Sequence, residues 1–204
     1  MPIILGLILI LGAWIAYHKT KSEREHKRES KSFWDKENQS NLVRKKDLSN
    51  LPYITIPYDS LPIKETSDPE LAHIQKQLHE LREQKIVNLS HITNTDLKLE
   101  YGTANLNLLS SYDQNFTTLI RLLNKWATLL YDKNEKQQAL VVLEFALSIG
   151  SDISSSYILL ARLYLELDKK EEISSLIARA KSLQTILKDS ILDQLYEMYG
   201  KEEA

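Results

Sequence analysis

Cysteine is absent from this 204-residue sequence, and glycine and proline occur only five times each. Without thiols the chain has no disulfide, no thiol nucleophile and no thiolate metal ligand. Glycine and proline are also too few for the turn-rich sequence of a β-sandwich or a β-barrel. Because leucine, lysine and glutamate are frequent instead, the composition predicts an all-α protein.

Neither sign of charge dominates the sequence. There are 26 basic and 28 acidic residues, and the formal net charge is -2. A balance of this kind argues against a general binder of polyanions. We therefore expect no nucleic acid among the partners of this chain.

The motifs of common enzymes are also missing. The sequence contains no glycine-rich phosphate loop, no nucleophile elbow and no paired-carboxylate motif. Its histidines are scattered over three segments, and none forms an i, i+4 pair with a carboxylate ligand nearby. We therefore predict no enzyme activity, no cofactor and no metal site. The histidines are His18, His26, His73, His79 and His91.

Residues 2–17 form an apolar run without a charged side chain. As a helix that rises about 1.5 Å per residue, the run would be about 24 Å long, which is short for a hydrocarbon core of about 30 Å. Local thinning of the bilayer would close this gap, and Trp14 and Tyr17 stand where an interfacial aromatic belt is expected. The sequence thus predicts a transmembrane helix in an anchor of residues 1–17, with membrane lipid as a partner.

The charges around the apolar run indicate its orientation. A cleavable signal peptide would carry basic residues before the run and a small-residue cleavage site after it, and neither is present. The basic residues follow the run, which by the positive-inside rule keeps the rest of the chain in the cytoplasm. We therefore expect a single-pass protein of a bacterial cell membrane, with its N-terminus outside and its C-terminal domain cytoplasmic. These basic residues are Lys19, Lys21, Arg24, Lys27, Arg28 and Lys31.

Two segments of different character follow the anchor. Residues 18–50 are almost purely polar and form a charged neck, which is either solvated and partly helical or attracted to anionic lipid through its bases. Residues 51–67 include three prolines spaced five residues apart and form an extended strap.

The strap is too apolar for a free linker, so it either docks on the helical domain or serves as a docking peptide for a partner. If it docks, alternation along the extended chain places Ile54, Ile56 and Tyr58 on the buried face and leaves Thr55 outside.

Helical periodicity begins after the strap. Asp68 and Pro69 are the residue types of an N-cap and a first helical position, and apolar residues then recur at helical spacing. This pattern predicts a helix over residues 70–86, and a second helix is predicted from about residue 97 to residue 111. Residues 68–119 are thus interpreted as the N-terminal helices of the domain.

From residue 120 onward the sequence repeats itself with an offset of 34 residues. Ala127 and Ala161 are small residues at equivalent places, and so are Ala146 and Ala180. Small side chains there let two helices approach closely, whereas larger ones would push the helices apart. Other pairs with this offset are Leu123/Tyr157, Trp126/Leu160, Leu130/Tyr164, Ala139/Ile173 and Leu143/Ile177.

A period of 34 residues in paired helices resembles the tetratricopeptide repeat, TPR. In the second copy Tyr157, Leu160, Ala161 and Tyr164 match the family pattern of a large residue, a leucine, a small residue and an aromatic residue. The resemblance implies a solenoid of helical hairpins. Its parts would be a TPR-like repeat over residues 120–153, a second over residues 154–187 and a capping helix over residues 188–204.

The resemblance also implies a function. In this family the first helix of each pair lines a groove that binds a segment of another protein, so we expect a membrane-tethered adaptor or scaffold with an unknown protein or peptide as partner. The alternative is a structural subunit of a membrane complex whose groove is filled by its own strap. The expected groove residues are Arg121, Asn124, Lys125, Thr128 and Tyr131 from one copy and Ile158, Arg162 and Leu165 from the next.

Overall fold

The computed structural model describes the backbone of residues 2–200, and it describes their side chains except those of residues 2–10, 13, 16, 199 and 200. All regular elements in this part of the chain are helical, which confirms the all-α prediction. The helices are α1 (Pro2–Asn41), α2 (Pro69–Glu80), α3 (Asn94–Tyr101), α4 (Leu106–Asp132), α5 (Lys136–Ser148), α6 (Ser154–Glu166), α7 (Glu171–Lys181) and α8 (Lys188–Gly200), with 3₁₀ turns at Leu81–Glu83 and Thr103–Asn105.

The predicted transmembrane anchor of residues 1–17, and with it the single-pass membrane localisation, is wrong. Among the residues that the structure describes, no helix is both long and apolar enough to cross a membrane. The apolar run belongs to α1, which continues through the polar neck to Asn41. At about 24 Å the run alone is shorter than a bilayer core of about 30 Å. Met1 and the side chains of residues 2–10, 13 and 16 lie outside the described residues.

The described chain divides into two compact units. The first holds residues 2–48 and 92–106, and the second holds residues 49–91 and 107–200. The two are described separately below.

In the first unit, the C-terminal end of α1 packs against α3. Glu37 accepts a hydrogen bond from the Thr95 hydroxyl at 2.7 Å and an ion-paired hydrogen bond from Lys98. These contacts hold the pKa of Glu37 below its usual range, with the Lys98 hydrogen bond as the largest cause. Lys36 forms a further ion pair with Asp96 at 2.6 Å. The C-terminal end of the neck is therefore a fixed part of this unit, whereas side chains 17–36 are exposed.

A sharp break separates α3 from α4. Gly102 has φ 88° and ψ 143°, a backbone region that only glycine adopts readily. The main chain of the preceding loop lies against this turn, since the Lys46 N–H donates to the Tyr101 carbonyl at 3.0 Å and the Thr103 N–H donates to the Val43 carbonyl at 3.3 Å. The predicted helix over residues 97–111 is therefore interrupted.

In the second unit the strap is docked on the helical core. Leu51, Ile56 and Leu61 are the residues that precede the three prolines, and they are only 7%, 6% and 5% exposed. Ile56 and Leu61 belong to the main hydrophobic cluster of the unit, against which Ile54 and Tyr58 are also packed. Of the two alternatives for the strap, the structure thus shows the docked one.

Each proline of the strap lies at the centre of a tight turn. The N–H of the residue after each proline donates to the carbonyl of the residue before it, an i→i+2 hydrogen bond of the γ-turn kind. A turn every five residues gives the buried face a period of five instead of two. Ile54 and Tyr58, predicted to be buried, are therefore only half-buried. The three bonds are Tyr53 to Leu51 at 2.8 Å, Tyr58 to Ile56 at 3.0 Å and Ile63 to Leu61 at 2.7 Å.

Helix α2 begins where the sequence predicted. The Asp68 carboxylate caps it by accepting from the N–H groups of Glu70 and Leu71 at 2.8 and 3.0 Å, and Pro69 is the first helical residue. The helix ends at Glu80, earlier than the predicted residue 86. Residues 84–87 are not helical and pair with the strap instead, because the Ile86 carbonyl accepts a hydrogen bond from the Ile54 N–H at 2.9 Å.

The 34-residue offset reappears in the structure as two helical hairpins, α4–α5 and α6–α7. Their turns contain Asn134 at φ 61° and Asp168 at φ 56°, two non-glycine residues with left-handed backbone that are themselves 34 positions apart. Every residue of the offset pairs is buried, and the four alanines of Ala127/Ala161 and Ala146/Ala180 are all at 0% exposure. Helix α4, however, begins at Leu106, so the first hairpin has a much longer first helix than the second.

Helix α8 packs after the second hairpin and has polar residues at two positions of its outer side. At the places where α6 has the buried residues Leu160 and Leu163, α8 has the exposed residues Gln194 and Glu197, again 34 positions later. At these two positions α8 therefore does not continue the apolar row of α6, a feature of the capping helix predicted from the sequence. The buried side chains of α8 include Ile191 and Leu195.

Helix α7 offers a matched test of the close helix contacts. Ala180 is fully buried, whereas Ala178 on the same helix is exposed. We expect Ala180→Leu to overpack the contact and to cost about 1–3 kcal/mol of unfolding free energy, which a thermal melt followed by circular dichroism would measure. Ala178→Leu should melt like the parent. Equal melting of the two variants would show that the residue at position 180 does not set the helix spacing.

Candidate functional site

The eight predicted groove residues lie on two adjacent helices, five on α4 and three on α6. Near one end, the Asn124 Oδ1 accepts hydrogen bonds from the hydroxyls of Ser155 and Ser156, both at 2.9 Å. Near the other end, the Tyr131 hydroxyl donates to Glu166 Oε1 at 2.7 Å. The two contacts show that α4 and α6 lie side by side and run in the same direction. We call the surface formed by the eight residues the groove face.

Between these two contacts the groove face is open to solvent. Thr128 and Arg162 are exposed there, while Ile158 and Leu165 are half-buried and pack against the core. The Thr128 hydroxyl donates to the Asn124 carbonyl within its own helix at 2.9 Å. Arg162 is therefore the residue of this section that extends a charge into solvent.

The charges near Tyr131 form a small network. Glu166 forms an ion pair with Lys136 at 3.0 Å in addition to its bond from Tyr131. The Tyr131 hydrogen bond, followed by that of Lys136, holds the pKa of Glu166 below its usual range. The Arg162 guanidinium lies 6.0 Å from the centre of the Tyr131 ring, within reach of a cation–π interaction. The charge of Arg162 also contributes to lowering the pKa of Glu166, although Arg162 forms no ion pair with any residue that the structure describes.

Arg121 and Lys125 continue the groove face toward the start of α4. Both are exposed, and Lys125 is 3.5 Å from Glu70 of α2. Exposed ion pairs of this kind contribute little to stability. Arg121 forms no ion pair with any residue that the structure describes. The spacing of these residues along α4 places them on the same side as Thr128.

The structure therefore brings Asn124 and Tyr131 into direct contact with α6, and it leaves Arg121, Thr128 and Arg162 exposed. Sequence reasoning missed the residues on α6 that complete these contacts. One of them could have been found from the repeat. Leu165 stands 34 positions after Tyr131 and is therefore its equivalent on the neighbouring helix, and Glu166 is the next residue. The missed residues are Ser155, Ser156 and Glu166, with Lys136 of α5.

Three polar and aromatic contacts of the strap are made to residues outside the groove face. The Tyr58 hydroxyl donates to the Leu78 carbonyl at 2.5 Å, and the Tyr53 ring meets the Tyr112 ring edge-on at 5.9 Å. Lys64 forms an ion pair with Glu135 at 2.8 Å. None of these three contacts involves a residue of the groove face, where Arg121, Thr128 and Arg162 are exposed.

The described residues contain no group of three or more histidine, cysteine, aspartate or glutamate side chains that could hold a metal ion. Comparison of the chain with protein-family models, with curated proteins and with solved structures found no match. The TPR resemblance therefore depends on the 34-residue offset and on the paired burial of the residues that show it.

Proposed function

We propose that the second unit is a protein-interaction module and that its groove face binds a segment of another protein. The observation that carries the proposal is the arrangement of α4 and α6, which lie side by side while Arg121, Thr128 and Arg162 are exposed along them. Exposed side chains placed on one side of two adjacent helices are what a binding surface requires. The resemblance of the two hairpins to TPR repeats supports the same function.

The groove face also indicates the chemistry of the partner. Arg121 and Arg162 contribute positive charge, and the half-buried Ile158 and Leu165 contribute apolar surface between the polar side chains. A segment that alternates acidic and aliphatic residues complements this face, because its carboxylates would meet the guanidinium groups while its aliphatic side chains cover the apolar strip.

Site-specific photocrosslinking in cells of the source organism tests the proposal. A photoreactive amino acid would replace Thr128, Arg162 or, as a control on α7, Ala178, which is exposed outside the groove face. We expect one heterologous protein to crosslink at residues 128 and 162 and not at residue 178. The double change Arg121→Glu with Arg162→Glu should abolish the adduct at residue 128 without changing the melting temperature.

A second function remains in competition, because the strap is docked and a structural subunit needs no free ligand. Adducts that join only two copies of this chain would favour that structural role. Adducts that are equal at all three positions, or that survive the double change, would contradict binding at the groove face.

A further inference from the structure

A second surface of the same unit lies between the strap and the segment that follows α2. It is an open cleft of about 570 Å³, lined on one side by residues 53–59 and on the other by residues 81–86. This volume falls in the range of about 300–1,000 Å³ in which proteins bind ligands. We call it the strap cleft. It shares no residue with the groove face.

The two walls of the strap cleft run in opposite directions. Ile54 is joined to Ile86 by a backbone hydrogen bond at one end. At the other end, Tyr58 bonds to the Leu78 carbonyl, and the Arg82 guanidinium lies 5.1 Å from its ring centre. Fully extended, residues 53–59 would span about 20 Å, and the turn at Pro57 shortens this length. The cleft thus runs between two antiparallel segments, a shape that suits an extended chain.

Thr55 lies on the solvent side of the strap wall. It is exposed, and among the described residues it makes no hydrogen bond with either its main chain or its side chain. Because the Ile54 N–H points to the Ile86 carbonyl, the main-chain groups of Thr55 point away from residues 81–86, and side-chain surface selects the ligand inside the cleft. The half-buried Ile54 and Pro57 on either side of Thr55 supply apolar surface for aliphatic side chains.

The two ends of the strap cleft differ in charge. Lys85 lies at the Ile86 end, with its ammonium group 4.9 Å from the centre of the Tyr53 ring. Asp59 and Glu83 belong to the other end with Arg82, which leaves that end with one excess negative charge. The pKa of Tyr58 reports the same neighbours, since burial raises it, Glu83 raises it further and Arg82 opposes both. Within the described residues neither Lys85 nor Arg82 forms an ion pair.

We infer that the strap cleft binds an extended segment of a partner protein with opposite charges at its ends. An acidic residue of the segment meets Lys85, aliphatic residues lie over Ile54 and Pro57, and a basic residue meets Asp59 and Glu83. The charge pattern fixes the direction of the bound segment. Because the site is separate, this inference stands or fails independently of the groove face.

An array of synthetic heptapeptides tests the inference with the full-length chain. Every peptide has the same centre of alternating valine and threonine, and glutamate, lysine or serine occupies each end in all combinations. Two of the peptides have glutamate at one end and lysine at the other, in opposite orders. We expect the labelled protein to bind one of these two peptides several-fold more strongly than the other. Arg162→Glu on the groove face should leave this preference unchanged.

Exchange of the two charges gives the decisive comparison. Lys85→Glu together with Glu83→Lys should reverse the preferred orientation of the peptides, while the melting temperature stays close to that of the parent because both side chains are exposed. Lys85→Gln alone should remove the preference for a peptide with a terminal glutamate and keep the preference for a terminal lysine. This single variant provides a second test if the double variant folds poorly. The inference would be overturned if the protein bound both peptide orientations equally, or if the charge exchange left the preferred orientation unchanged. Loss of peptide binding in Arg162→Glu would overturn it too.

Discussion

The variant with Leu51, Ile56 and Leu61 all changed to alanine should fail to fold its second unit, or should melt far below the parent. Each of these side chains is at most 7% exposed and precedes a proline. Removal of a buried leucine or isoleucine side chain costs about 2–5 kcal/mol, because transfer free energy is lost and a cavity remains. Three such losses add up to about as much as the total stability of a typical domain, about 5–15 kcal/mol.

Circular dichroism during thermal unfolding of the full chain measures this effect. The matched control changes three exposed strap residues, Thr55, Asp59 and Glu65, to alanine and should melt like the parent. The single change Ile56→Ala should lie between the two, with a shift of about 2–4 °C for each kcal/mol that is lost. If the triple variant of the buried residues melted with the control, the strap would be a free segment in solution and the strap cleft would not exist there.

Gly102→Ala should unfold the turn that joins α3 to α4 and loosen the first unit. A side chain at φ 88° and ψ 143° costs on the order of 1–3 kcal/mol in backbone strain alone. In addition, a Cβ at this position would overlap the Arg44 carbonyl and the main chain of Lys45, which cannot move aside as a flexible side chain could. We therefore expect a loss of stability above that range.

Amide hydrogen exchange locates the damage, because a global melt would mix the two units. Exchange at residues 94–105 should become much faster in Gly102→Ala. Gly12→Ala in α1 of the same unit is the control, since a Cβ there meets no other atom and should leave exchange at residues 94–105 unchanged. Parent-like protection in Gly102→Ala would mean that the main chain of residues 43–46 does not pack against the turn.

Local sequence signals located several elements correctly. Asp68 and Pro69 begin α2 because the side chain that caps a helix and the residue with a preset φ are adjacent in the sequence. The 34-residue offset identified alanines that prove fully buried, such as Ala127 and Ala161. These successes have one cause, which is that each pattern spans only a turn of helix or a pair of neighbouring helices.

Predictions failed where a distant segment decided the structure. The helix expected over residues 97–111 is broken because the chain at residues 43–46 hydrogen-bonds to the turn around Gly102. The anchor expected at residues 1–17 failed for a local reason, because the apolar run is shorter than a bilayer core. In the strap, the prolines were visible, but their γ-turns change the buried face from every second to every fifth residue.

The sequence by itself determined the helical class and the two hairpins, since these follow from composition, periodicity and the 34-residue offset. Only the tertiary structure decided which predicted groove residues are available. Asn124 and Tyr131 are engaged by Ser155, Ser156 and Glu166 of α6, while Arg162 is left exposed. The strap cleft was likewise decided by folding, because its walls are 22 or more residues apart in the chain and meet only when the strap docks.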